Sequence, residues 1–234
     1  MEKEDLISNF KKVQAKIKKA AALANRDPQE IKLLAVSKNH YAEAVEILNE
    51  AGVSYFGENR VQELEEKNEK LIEKGIDIDW HFIGHLQRNK VKYLMRMENC
   101  QMIQSIDSLR LAKEVNKRAK KNERIIPVLV EVNMAKDENK FGIMPEEVKD
   151  FLKQIKEFEN LKIEGLMTIL PYLDDSQKLR SYFKQMKKIY DDVCENLMPL
   201  NELSMGMTND YQIAIEEGAT IVRVGRAIFG EREY

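Results

Sequence analysis

Short apolar, β-branched segments alternate with helical patterns along the whole sequence, and this alternation restricts the fold more than any other feature. The strand candidates are 31–37 (IKLLAVS), 53–57 (VSYFG), 79–84 (DWHFIG), 101–106 (QMIQSI), 125–132 (IIPVLVEV), 163–169 (IEGLMTI), 201–206 (NELSMG) and 219–224 (ATIVRV). Helical patterns lie between them. In QKLRSYFKQMKKIYDDVCEN, the residues Leu179, Tyr182, Phe183, Met186, Ile189, Tyr190 and Val193 recur at three- and four-residue spacing and make one apolar stripe. In PEEVKDFLKQIKEFEN, Pro145 suits the first helical position, Glu146 and Glu147 suit the positive end of the helix dipole, and Val148, Phe151, Leu152, Ile155 and Phe158 form the stripe. Ser108 is the expected N-cap of a helix over 109–121, and Gly52 the expected C-cap after 42–51. No Pro/Gly/Ser-rich linker or low-complexity segment interrupts the series. Eight strand–helix units in 234 residues predict one α/β domain over 1–234, a (β/α)8 TIM-like barrel preceded by an extra N-terminal helix. An open doubly wound sheet is the alternative, but it usually has fewer strands and a Gly-rich loop after the first. Here SKNH follows the first strand.

In such a barrel, chemistry belongs at the C-terminal ends of the strands. Loops after strands seven and eight often hold a phosphate through backbone N–H groups. LSMGMTND and VRVGRAIFG place Ser204, Gly206, Thr208, Gly225 and Arg226 in those loops. Ordinary strand-to-helix turns are the plainer reading. Arg223 interrupts the apolar TIVRVG run. A guanidinium there must be paired, either for function or in a structural ion pair with an embedded carboxylate such as Glu131 or Glu164. Lys38 ends the first strand, where desolvation can leave a free amine able to attack a carbonyl. The plainer reading is a solvated lysine at a strand tip. Together, a lysine of this kind, a phosphate cradle and an arginine facing a ring nitrogen are the parts of a pyridoxal phosphate site. Lys140, in the strand-five loop, is a second lysine at the same face.

Other chemistries find less support. Net charge is −2, so no broad basic field argues for nucleic acid. His40, His81 and His85 form no metal-binding set with Cys100 or Cys194, and the two cysteines are too few and too distant for a disulfide framework. There is no nucleophile elbow, no GxGxxG and no GxxxxGK[ST]. The N-terminal stretch is amphipathic and charged, unlike a signal peptide or a membrane span, so a soluble cytoplasmic protein is expected.

The stretches AVSK, FGENRVQE, WHFIGHLQRNK, SIDS, NKFG, GLMTI, LSMGMTNDYQIAIEEGATIVRVG and AIFGEREY, in this order and spacing, resemble the pyridoxal phosphate homeostasis family (YggS/PROSC-like). The resemblance implies a barrel like the N-terminal domain of alanine racemase, fold-type III. It implies pyridoxal 5'-phosphate joined to Lys38 as a Schiff base, with its phosphate held by Ser204, Gly206, Gly225 and Arg226. Asn59 would lie near the cofactor and Arg223 would face the pyridine nitrogen. Many members carry Thr or Ser where this chain has Arg226. The implied role is a carrier or buffer that maintains vitamin B6 and amino-acid balance, without metabolic turnover. The expected partners are apo-forms of pyridoxal phosphate enzymes, and a monomer is expected. A racemase needs an acid/base group on each face of the substrate, one of them drawn from a second domain, and none is expected after EREY. An arginine at the ring nitrogen would also weaken the cofactor as an electron sink. A weak fold-type III racemase and a cofactor-free Schiff-base aldolase remain as enzyme alternatives.

Overall fold

Each predicted strand segment forms a strand, and all eight pair in parallel in sequence order, with β1 closing on β8. The computed structural model describes residues 2–230. Its strands are β1 (Lys32–Val36), β2 (Tyr55–Glu58), β3 (Asp79–Phe82), β4 (Cys100–Ile106), β5 (Ile126–Glu131), β6 (Leu161–Met167), β7 (Glu202–Ser204) and β8 (Ile221–Val224). The helices are α1 (Lys3–Leu23), α2 (Ala42–Glu50), α3 (Val61–Glu73), α4 (Val91–Leu94), α5 (Leu109–Lys121), α6 (Val148–Ile155), α7 (Ser176–Asn196), α8 (Tyr211–Glu216) and α9 (Arg226–Phe229). This is the expected (β/α)8 barrel with an extra N-terminal helix.

Local signals hold where the expectations used them. Ser108 caps α5, its hydroxyl accepting from the Leu111 N–H at 3.4 Å, and Gly52 takes φ +96° just past the end of α2. Two expectations are corrected. Pro145 opens a 3-10 turn over Pro145–Glu147 rather than the first α-helical turn, and α6 stops at Ile155, short of Phe158. The backbone N–H of Phe158 instead bonds the Ile155 carbonyl at 3.0 Å, closing a turn that leads into β6. β6 begins at Leu161 and ends at Met167, two residues earlier than the apolar run suggests.

The barrel strands are short, so each residue's parity decides its neighbours. Leu34, Val36, Met102, Leu129, Met167 and Ile221 pack inside the barrel with Ile83 and Tyr55. Their alternate neighbours, among them Ala35, Phe56, Trp80, Ile103, Val128, Leu166, Leu203 and Val222, join the larger core between barrel and helices. Helices α8 and α9 have only six and four residues, too little to cover the seam around β8 and β1. The 21-residue α1 packs against α8, α9 and α2 and supplies the missing cover. Its buried Leu6, Phe10, Val13, Ile17, Ala20 and Ala21 fall on one helical face, and the Arg26 guanidinium just beyond it donates to the carbonyls of Ile215 and Ala219 at 2.9 and 2.8 Å.

Candidate functional site

Strand parity also sorts the polar residues. His81, Gln104, Glu131, Ser204 and Arg223 share the alternation of the apolar lumen residues on their own strands or next to them. Lys38, Asn59 and Gly225 continue that parity just past the ends of β1, β2 and β8. The C-terminal half of the barrel interior therefore carries these polar groups beside Val36, Ile83 and Met167, with Lys38 at its rim. Lys38 and Asn59 are half-buried.

Arg223 anchors this layer. It is only 3% exposed, and it donates from Nη1 to Ser204 Oγ at 2.6 Å and from Nη2 to the Thr168 carbonyl at 2.7 Å. A guanidinium can only donate, so Ser204 Oγ must accept from it and keeps its own proton for Gln104 Oε1, 2.7 Å away. The Gln104 amide nitrogen then faces His81 Nδ1 at 2.9 Å. Burial, reinforced by the charge of Lys32, pushes the His81 imidazole down to about 3. The ring is neutral, Nδ1 accepts, and its proton sits on Nε2. One directional chain thus crosses the lumen from β8 through β7 and β4 to β3.

The ion pair considered for Arg223 is not what the structure shows. Glu164 instead bonds Asn201 at 2.8 Å and pairs with Lys162. Glu131 and Asp210 act on Arg223 only as charges, opposing the burial that lowers the guanidinium to about 10. It stays cationic at neutral pH, with uncharged groups as its direct partners. Glu131 is pushed up to about 7, chiefly by burial and further by Asp107, with Arg223 pulling the other way.

The corner after β7 and β8 is built closely. Gly206 has φ +91°, and a Cβ there would lie 2.5 Å from the Ala214 side chain and 2.8 Å from the Tyr211 backbone, so no other residue fits without displacing α8. Its carbonyl accepts from the Arg223 N–H at 3.0 Å. A Cβ on Gly225 would approach the Val36 carbonyl at 3.1 Å. Arg226 is exposed and close enough for its charge to oppose the rise of the Tyr172 phenol, which Asp174 chiefly causes. The structure thus brings Gly206, Arg223 and Gly225 together. The Ser204 hydroxyl is bonded inside the lumen, accepting from Arg223 and donating to Gln104.

Sequence reasoning missed Gln104 and His81 as members of the chain, and it missed a second cluster behind Lys38. Lys67, on the buried face of α3, donates to the Ser37 carbonyl at 2.7 Å, to Glu58 Oε1 at 2.5 Å and to Glu63 Oε1 at 2.8 Å. Across the mouth, His85 Nδ1 meets Asp107 Oδ2 at 2.9 Å, and its ring stacks on Phe141 with centroids 3.5 Å apart. Phe141 belongs to the β5 loop, where Lys140 is exposed. Of the AIFGEREY stretch, residues 231–234 lie outside the described residues.

Three comparisons set this geometry among known proteins. Residues 8–233 match the family described as alanine racemase, N-terminal domain. The pyridoxal phosphate homeostasis protein of Aquifex aeolicus is 45% identical over 224 residues, covering 95% of this chain and 96% of that one. PipY of Synechococcus elongatus PCC7942, solved with PLP bound, superposes with a TM-score of 0.80 at 33% identity, covering 92% of this chain and 100% of that one. An alanine racemase of Clostridium difficile shares the fold, with a TM-score of 0.78 at 17% identity over 99% of this chain and 60% of its own. The chain therefore belongs to the alanine racemase N-terminal domain family and, within it, to the pyridoxal phosphate homeostasis proteins.

Proposed function

We propose that this chain binds pyridoxal 5'-phosphate at the C-terminal mouth of the barrel and serves as a carrier or buffer of the cofactor. The observation that carries the reading is Lys38, on the lumen parity at the end of β1, in the same barrel mouth as a buried arginine held by uncharged partners. The name of the Aquifex aeolicus relative and the ligand of PipY support it. Pyridoxal phosphate, when bound, supplies an aldehyde that a lysine amine can capture and a phosphate that can be anchored.

The residues present fit that group. Lys38 offers the amine. Gly206 and Gly225 let the chain pack closely at the corner after β7 and β8, where a Cβ would crowd neighbouring chain, and Arg226 adds a charge beside the same corner. Asn59 continues the lumen parity at the end of β2. Arg223 holds no proton that it readily gives up at neutral pH, so it can face a ring nitrogen without protonating it. Ser204 serves by holding Arg223. This set binds and orients the cofactor while weakening it as an electron sink, which suits a carrier better than an enzyme of metabolism.

The finer reading has four parts: no metabolic turnover, apo-forms of pyridoxal phosphate enzymes as partners, a monomer, and a cytoplasmic location. No helix among the described residues is long and apolar enough to cross a membrane. To test it, the loaded protein is mixed with a defined apo-enzyme, and recovery of that enzyme's activity is followed. In parallel, a panel of amino acids is incubated with the loaded protein in D2O. Cofactor transfer without α-proton exchange is expected. Exchange above the rate of free cofactor would replace the carrier reading with a racemase.

A further inference from the structure

The alternation that directs Lys38 toward the lumen directs Ser37 the opposite way, toward α3. Ser37 Oγ donates to Glu58 Oε1 at 2.6 Å, and the Ser37 carbonyl accepts from Lys67 Nζ at 2.7 Å. The same ammonium holds Glu58 and Glu63, and Glu63 Oε1 accepts from the Asn39 backbone N–H. Both residues that flank Lys38 are thus tied to one cation. Lys67 is 5% exposed and Glu58 fully buried. Asn39 has φ +64°, a conformation that needs support in a non-glycine residue, and the His40 ring stacks on Phe229 with centroids 4.9 Å apart. A turn bond from the His40 N–H to the Ser37 carbonyl, at 3.0 Å, closes the segment.

Stability alone is a weak explanation for this cluster. Buried ion pairs often contribute no more than well-packed apolar side chains of the same volume. Here the pair also carries a penalty, because Glu58 Oε2 is buried without a hydrogen-bond partner. Burial raises the Glu58 carboxyl despite Lys67. Lys67 instead bonds the short segment that carries Lys38 directly at the Ser37 carbonyl, and the two carboxylates it holds bond that segment at the Ser37 hydroxyl and the Asn39 N–H.

We propose that Lys67, held by Glu58 and Glu63, is a positioning residue for the Lys38 amine, fixing the Ser37–Asn39 turn from the helix side of the barrel. The inference rests on the proposed function, in which Lys38 captures an aldehyde. A lysine side chain has four rotatable bonds, so the lumen geometry of its amine depends on how firmly its backbone is fixed. Small misplacements of a reacting group slow capture by one to two orders of magnitude.

The test compares wild type with Lys67→Met, Lys67→Arg and the double variant Glu58→Gln/Lys67→Met, which removes both charges and so avoids stranding one. Pyridoxal phosphate is added, samples are quenched with borohydride over time, and the adduct on Lys38 is followed by peptide mass mapping. Circular dichroism identifies the folded variants. Capture in Lys67→Met and the double variant should be about ten- to a hundredfold slower, while Lys67→Arg, which can donate to the same acceptors, should recover most of the rate. Competition by inorganic phosphate should be unchanged, because the phosphate corner lies on β7 and β8. A folded double variant that captures at the wild-type rate overturns the inference alone. A wild-type protein with no adduct on Lys38 overturns the proposed function and the inference with it. If neither Met variant folds, amide exchange in the wild-type protein decides. Protection of the Asn39 N–H is expected, and exchange at the rate of an open loop overturns the inference.

Discussion

Replacing Glu131 with glutamine should stabilise the protein in a pH-dependent way. Glu131 ends β5 inside the barrel mouth, is 8% exposed, and is pushed from 4.5 to about 7 by burial first and Asp107 second, against the pull of Arg223. The folded protein therefore keeps this proton over a range where the unfolded chain has lost it. Stability from this group is full below 4.5 and falls as pH rises toward 7. At about 1.4 kcal/mol for each tenfold change, the whole displacement corresponds to roughly 3 kcal/mol, most of it lost between pH 5 and pH 8. Glu131→Gln keeps the shape and removes the titration. The difference in its stability relative to wild type should grow by about 2 to 3 kcal/mol from pH 5 to pH 8. At roughly 2–4 °C per kcal/mol for a chain of this size, the Tm advantage should widen by about 5–10 °C. Thermal denaturation followed by circular dichroism at the two pH values measures it. An equal Tm shift at both would show that Glu131 is solvated, and that no carboxyl is held protonated beside Arg223.

Other outcomes follow from the same geometry. Arg223→Met removes two charge-assisted bonds and should cost about 1–3 kcal/mol in chemical denaturation. It should also shift the absorbance of bound cofactor, whereas an unchanged spectrum in the folded variant would reduce Arg223 to a structural role. Gly206→Ala combines a left-handed backbone with a Cβ 2.5 Å from the Ala214 side chain, so it should lose at least about 1–3 kcal/mol and most phosphate affinity. Titration with inorganic phosphate checks the second part. Ser204→Ala should alter the cofactor spectrum more than phosphate affinity, because its hydroxyl serves Arg223; a lost phosphate site with an unaltered spectrum would reverse that order.

The barrel was legible because its signals are local and repeated: eight apolar runs, helical stripes between them, and caps such as Ser108. That Arg223 must be paired was also readable, since a guanidinium in the apolar TIVRVG run has few places to go. Its partners were not readable. Ser204 and the Thr168 carbonyl reach it from other strands, and nothing in the sequence separates them from Glu131 or Glu164. Lys67 was missed because VQELEEKNEKLIE looks like a solvated helix of alternating charge. Its signal was there, though. Val61, Leu64 and Leu71 are buried at helical spacing, and the gap between Leu64 and Leu71 is filled by Lys67 and Asn68, polar residues on a buried face. Asn68 Oδ1 meets the Trp80 indole N–H at 3.0 Å, so both residues in the gap have a polar partner waiting. The early end of α6 was hidden because Phe158 keeps the helical spacing while its backbone has already turned toward β6.

Everything proposed for the barrel mouth depends on Lys38 being the residue that captures the cofactor's aldehyde. The most direct test is intact-mass analysis of the wild-type protein after incubation with pyridoxal phosphate and borohydride reduction, followed by peptide mapping. One adduct per chain, on Lys38, is the predicted result. No adduct, or an adduct on Lys140 or any other lysine, would contradict the account.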